Sequence, residues 1–183
     1  MPNFRRAFVP GGTFFFTVVT FNRQRFLTQL ESRNILHEVI NEVKRKYPFK
    51  IDSWVLLPEH LHCIWSLPEG DSDFSKRWGL IKAWFSKRTK GFLYKDEWMT
   101  NSKRKYREST IWQRRFWEHM VRDEDDFNKH MNYVHFNPVK HGLVKSVNDW
   151  PYSTFHRCVR DGLYPPDWGG DDSSNTNDTN FGE

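Results

Sequence analysis

What most constrains this chain is the order in which its hydrophobic periodicity changes. Residues 13–21 (TFFFTVVTF) are aromatic and β-branched, the composition of a strand. A helix capped by Ser32 should follow and run to about Tyr47, with Ile35, Val39, Ile40 and Val43 as its apolar stripe and Pro48 as its stop. Residues 49–57 (FKIDSWVLL) and 60–67 read as two more strands on either side of Pro58-Glu59. From Asp73 to about Thr89, Phe74, Trp78, Ile81 and Phe85 recur at helical spacing, with Lys76, Arg77, Lys82, Lys87 and Arg88 between them. Residues 90–110 are polar and basic and read as a mobile loop, and 111–121 (IWQRRFWEHMV) as a fourth strand. A third helix should start at Asp123, with acidic residues in its first turn, and end near Asn137, before Pro138. The order β-α-β-β-α-β-α predicts an α+β fold, a ferredoxin-like antiparallel sheet with helices packed on one face.

A chain of 183 residues can bury one sizeable core, so residues 1–168 are expected to form a single domain. Residues 169–183 are rich in Gly, Asp, Ser, Asn and Thr and predict a disordered acidic tail. No apolar run approaches the roughly 20 residues of a membrane helix, and no signal-peptide core follows Arg5 and Arg6. Two cysteines, Cys63 and Cys158, make no disulfide framework, which points to a reducing cytoplasm.

Charge is unevenly distributed. The net charge is +5, yet six of the 23 acidic residues and none of the 28 basic ones lie after residue 160, so the body before it carries +11. Such a body suits a polyanionic partner. Aromatics make up 17% of the chain, nine of them Trp, and a basic, aromatic-rich surface suits unpaired bases. Arg5, Arg6, Lys103, Arg104, Arg114 and Arg115 are the candidate DNA contacts, with Trp112 and Phe116 as stacking rings. Each has a plainer alternative, a solvated charge or a buried ring.

Two short segments carry chemistry. In Pro58-Glu59-His60-Leu61-His62-Cys63 the two histidines share one face of a strand, about 6.5–7 Å apart along the chain. At that separation two imidazoles can converge on one divalent ion through bonds of about 2.0–2.1 Å. Cys63 should face the other way, which weakens a zinc site built on His60, His62 and a cysteine; Leu61 and Ile64 are expected to face the core. In His130-Met131-Asn132-Tyr133-Val134-His135-Phe136-Asn137-Pro138, Tyr133 and Asn137 are four apart and share a helix face. A tyrosine beside a possible ligand amide could be a nucleophile, given an activating base or cation; a core tyrosine is the simpler alternative.

Longer motifs in order decide more. Phe15-Phe16-Thr17-Val18-Val19-Thr20, Leu57-Pro58-Glu59-His60-Leu61-His62, Trp78 with Ile81-Lys82, Ile111-Trp112-Gln113-Arg114-Arg115-Phe116-Trp117-Glu118-His119, and Tyr133-Val134-His135-Phe136-Asn137-Pro138-Val139-Lys140-His141-Gly142-Leu143-Val144 closely resemble the REP-associated tyrosine transposases, bacterial members of the HUH single-strand nucleases. The resemblance implies that His60 and His62 are metal ligands and Tyr133 the single catalytic tyrosine. Asn137 falls where related insertion-sequence transposases have a glutamine as third ligand. It further implies Mg²⁺ or Mn²⁺ as cofactor and a monomer as the working form. The implied substrate is the imperfect hairpin of a repetitive extragenic palindrome with adjacent single strand, cut through a 5′-phosphotyrosine. A non-catalytic protein that binds the hairpin without cutting it is the alternative.

Overall fold

The computed structural model describes residues 9–170. Arg5, Arg6 and the tail from residue 171 onward lie outside the described residues. Four strands, β1 (Thr13–Val19), β2 (Lys50–Leu56), β3 (His60–Ser66) and β4 (Trp117–Met120), form one antiparallel sheet in the order β2-β3-β1-β4. Helices α1 (Leu30–Lys46) and α2 (Phe74–Leu93) make the two crossovers, the ferredoxin-like arrangement expected from the sequence. A short α3 (Asn101–Lys105), the long α4 (Glu124–Lys140) and α5 (Phe155–Arg160) complete the described chain.

The sheet is apolar on both faces, and this organises everything else. Phe14, Phe16, Val18, Leu61, Cys63 and Trp65 point into a core closed by α1 and α2. There Trp65 stacks on Trp78 with ring centroids 4.3 Å apart and planes 13° from parallel. Phe15, Val55, Leu57 and Ile64 point the other way, into a second core closed by Met131 and Val134 of α4. α1 and α2 thus share one face as expected, and α4 adds a layer on the other. Burial on both faces explains why β1 reads as an unbroken apolar run rather than an alternation. Each fully buried Phe or Leu contributes about 1.5–3 kcal/mol, so neither face can be stripped of its helices. Leu61 and Ile64 are both buried, but in different cores, because successive strand residues face opposite ways.

Several boundaries differ from the sequence reading. α1 begins at Leu30, and Ser32 lies buried inside it rather than at its cap. α2 continues to Leu93, and the expected loop contains α3, whose first turn is capped by the Thr100 hydroxyl accepting from the Lys103 N–H. The fourth strand shrinks to Trp117–Met120. Ile111 and Trp112 instead plug the core beside Phe85, and the carbonyls of Gln113 and Arg114 turn outward to accept from Lys82 Nζ. α4 runs through Pro138 to Lys140. A proline so near the end forfeits little of the helix ladder, and the carbonyls of Asn137, Pro138 and Val139 accept from His141, Leu143 and Gly142. Gly142 closes this terminus at φ 66°.

Candidate active site

Antiparallel register sets His62 directly across from Thr17 and His60 across from Val19. His60 and His62 therefore sit together on the central strand β3, on the face covered by α4, and both are buried. Their ring centroids are 4.9 Å apart. Thr17 Oγ1 lies 2.9 Å from His62 Nδ1, and Glu59 Oε1 lies 3.1 Å from His60 Nδ1. In both rings Nδ1 is engaged, which leaves Nε2 as the nitrogen to hold a cation, and a carboxylate or hydroxyl behind each ring fixes its orientation. The His60 hydrogen bond holds the Glu59 carboxyl below the usual range; burial opposes it, and the charges of His60, Arg25 and His141 add to it.

α4 lays Tyr133 over this pair. Its ring meets His62 edge-on with centroids 5.2 Å apart, above a floor made by Phe15, which contacts both rings at 5.5 and 5.9 Å. Seven residues on, two helical turns later, Lys140 places Nζ 3.4 Å from the Tyr133 phenol oxygen and 4.8 Å from its ring centre. A cation at that distance can stabilise charge developing on the oxygen. Asn137 is fully buried on the same helix, and His141 reaches His60 with ring centroids 5.1 Å apart. Cys63 faces the α1–α2 core, as its position after His62 requires, and burial pushes its thiol pKa well up.

A second group of ligand-type side chains borders the first. His119, Asp126 and His130 bring donor atoms within 4.8 Å of one another. The Asp126 carboxylate accepts from His119 Nε2 at 2.8 Å and from the Arg122 N–H; its other oxygen lies 3.1 Å from His130 Nδ1, which is itself 2.8 Å from the Asp126 backbone carbonyl. Burial would raise the Asp126 carboxyl, but those bonds and the neighbouring imidazoles outweigh it and hold it at about 2. Burial lowers His130. This network pins the first turn of α4 to β4, and His130 stacks on the Phe15 floor at 4.8 Å.

The candidate DNA contacts divide. Arg104, Arg114 and Arg115 are exposed. Lys103 is instead buried, with Nζ 3.7 Å from the centre of the Phe21 ring, 3.4 Å from the Ser109 carbonyl and 3.6 Å from Glu108. Trp112 is also buried, and Phe116 packs half-buried against the same core. These three therefore act as core or loop anchors rather than as surface contacts. Arg5 and Arg6 lie outside the described residues. Thr17, Lys140 and His141 lie inside the motifs that carry the resemblance, but the motifs assign no role to them; Thr17 could have been found from strand register, and Lys140 from its spacing to Tyr133.

The chain that carries this arrangement has relatives among known proteins. The family model of IS200-like transposases matches residues 12–137. The chain is 49% identical over 171 residues to the REP-associated tyrosine transposase of Escherichia coli K12, covering 93% of each chain. It is 44% identical over 172 residues to a putative REP-associated tyrosine transposase of Haemophilus influenzae, covering 93% of this chain and 94% of that one. A solved structure of a REP-associated tyrosine transposase bound to a REP hairpin superposes with a TM-score of 0.82 at 46% identity, covering 100% of this chain and 98% of the other. The chain belongs to the IS200-like transposases, and within them to the REP-associated tyrosine transposases.

Proposed function

We propose that this protein is a metal-dependent single-strand DNA endonuclease and strand transferase that acts on repetitive extragenic palindrome hairpins through Tyr133. The observation that carries the reading is the phenol of Tyr133 held against His62 with Lys140 at its oxygen, over two buried imidazoles oriented by Thr17 and Glu59. That a relative of 46% identity was solved bound to a REP hairpin supports the choice of substrate.

The Tyr133 oxygen attacks a phosphodiester. The new bond is tyrosine oxygen to phosphorus, and the bond that breaks is phosphorus to the 3′-oxygen, which leaves with a proton as a free 3′-OH. The strand keeps its 5′-phosphate on Tyr133, and because the phosphodiester energy is conserved, a 3′-OH can attack it in turn to rejoin or transfer the strand. His60 and His62 through Nε2, with the Asn137 side chain, form the donor set for a divalent ion. Two buried imidazoles with Nδ1 already engaged and one buried amide fit Mn²⁺ or Mg²⁺, with phosphate oxygens completing the shell. When bound, the ion would polarise the scissile phosphate and neutralise charge on it. Lys140 supplies the complementary positive charge at the nucleophile, and the Phe15 floor fixes the angle at which the phenol meets the site.

Exposed Arg104, Arg114 and Arg115, together with Arg5 and Arg6, supply phosphate and base contacts. No helix of the described residues is long and apolar enough to cross a membrane. The protein is proposed to work as a cytoplasmic monomer, with residues 1–168 as its single domain.

The test is a denaturing gel of hairpin DNA from the host's own repeats, incubated with Mn²⁺ or Mg²⁺ and either wild type or Tyr133→Phe. A covalent protein–DNA band that requires the metal and disappears in the variant is expected. Hairpin binding without cleavage under either metal would favour the non-catalytic binder instead.

A further inference from the structure

Resting on the reading just proposed, we infer that the indole of Trp117 is the seat of one unpaired base, that of the nucleotide beside the scissile phosphate. Trp112 and Phe116 are the rings that composition suggests for stacking, but both pack against the core under α1 and α2. Trp117 comes next in the chain and faces the other way, against the core under α4, because successive strand residues alternate. It is only half-buried, and it opens β4, an edge strand of the sheet. The mechanism above gives it no part.

Strand register ties this ring to the chemistry. Val55 lies across from His62, His62 across from Thr17, and Thr17 across from Trp117. The four form one row over the whole sheet, on the face that carries Tyr133. Val55, His62 and Thr17 are buried, so the row reaches solvent at its Trp117 end. Two interstrand spacings, about 9–10 Å, separate the main chains of His62 and Trp117. A phosphate brought to His62 therefore has a neighbouring base within reach of the indole.

The ring is also held still for this task. His119 backs one face of Trp117, with centroids 6.0 Å apart and planes 6° from parallel. His119 in turn lies parallel to His130 at 4.6 Å, and Asp126 fixes it through the 2.8 Å bond to Nε2. Trp117 meets the Phe15 floor at 5.7 Å and Tyr133 meets the same ring at 5.9 Å, so platform and nucleophile stand on one support. A base on the other face of the indole extends an existing column, and a ring already fixed loses little freedom on binding. The base must be unpaired, because in a duplex both of its faces are already stacked. Stacking is tolerant of sequence, so the seat selects for the presence of a base rather than for its identity. Arg115, exposed two residues earlier, offers a cation for the backbone of the same nucleotide.

The test pairs a change in the protein with a change in the DNA, read by fluorescence anisotropy without metal. Wild type and Trp117→Leu bind a hairpin whose adjoining single strand carries one abasic site, moved one position at a time. In wild type, an abasic site next to the bond that is cut in Mn²⁺ should weaken binding on the order of tenfold, and replacing that base by another should matter far less. Against Trp117→Leu the same abasic site should cost less than about twofold, because its partner is already gone. Equal losses in the two proteins at every position would overturn the assignment, since Trp117 would then touch no base. So would a coupled position inside the stem or far from the cut. A thermal melt checks that Trp117→Leu is folded. If it is not, wild type alone decides: 5-iodouracil beside the cut should photocrosslink to Trp117, and a crosslink confined to other residues would overturn the proposal. Coupling at one single-strand position in a protein that cuts with neither metal would remove the parent reading and keep the base seat, whereas cleavage through Tyr133 without coupling would remove the seat alone.

Discussion

Thr17→Val isolates the support behind one proposed metal ligand. Valine matches threonine in shape, so at a site only 1% exposed it opens no cavity and removes only a hydroxyl. The bond lost is the 2.9 Å contact to His62 Nδ1, both partners being buried and adjacent across β1 and β3. Leaving a buried ring nitrogen without its partner costs about 1–3 kcal/mol, which lowers the melting temperature by roughly 2–12 °C for a chain of this size. The functional effect is separate. Without the hydroxyl neither the tautomer nor the ring angle of His62 is enforced, and losses of about 10–100-fold in metal affinity follow from removing such supports. The assay is covalent adduct formation titrated with Mn²⁺: the half-saturating concentration should rise 10–100-fold while the rate at saturating metal moves far less. A melting temperature that falls with no change in the Mn²⁺ titration would refute the link between Thr17 and the ligand.

Three further outcomes are expected. Removing the ammonium 3.4 Å from the nucleophile in Lys140→Met should slow cleavage about 10–100-fold at saturating metal and DNA, with hairpin affinity within about twofold of wild type; an unchanged rate would remove Lys140 from the chemistry. Burial, with a lesser push from Arg157, lowers His135 from 6.5 to about 3. The unfolded chain therefore binds the extra proton first, and stability is full above pH 6.5 and falls as the pH drops toward 3, by about 2 kcal/mol at pH 5. Urea unfolding at pH 7 and 5 should show that loss, with a smaller addition from His130, and His135→Gln should remove most of it; Asp126, at about 2, titrates below this window. Arg77 is buried, salt-bridged to Asp71 at 2.6 Å and donating to the carbonyls of Tyr47, Pro48 and Asp73. Arg77→Met should cost about 3–5 kcal/mol by chemical denaturation and leave DNA affinity per folded molecule unchanged.

Much of this was legible in the sequence because it depends on periodicity. The sheet order follows from strand-helix-strand-strand-helix-strand, and the convergence of His60 and His62 from a spacing of two on a strand. Tyr133 and Asn137 share a helix by a spacing of four. What escaped is set by partners distant in sequence. Thr17 is ordinary until register brings it across from His62, 45 residues away. The second core under α4 is invisible in β3, where Leu61 and Ile64 look alike yet serve opposite faces. Residue type also misled over exposure: Lys103 looks like a phosphate contact, but a lysine can lay its stem along apolar surface and end over an aromatic ring, as it does over Phe21. The stretch 111–121 has the composition of a strand throughout. Its first half is nevertheless a plug, because the Gln113 and Arg114 carbonyls are taken by Lys82 of the neighbouring helix.

The most direct measurement is of where the DNA becomes attached. Hairpin substrate is cleaved in Mn²⁺, the protein is digested with protease and nuclease, and the peptide bearing a nucleotide is located by tandem mass spectrometry. A 5′-phosphonucleotide on Tyr133 is the expected result. The same modification on another residue, or complete cleavage with no protein-linked nucleotide, would contradict the assignment of Tyr133 as the nucleophile.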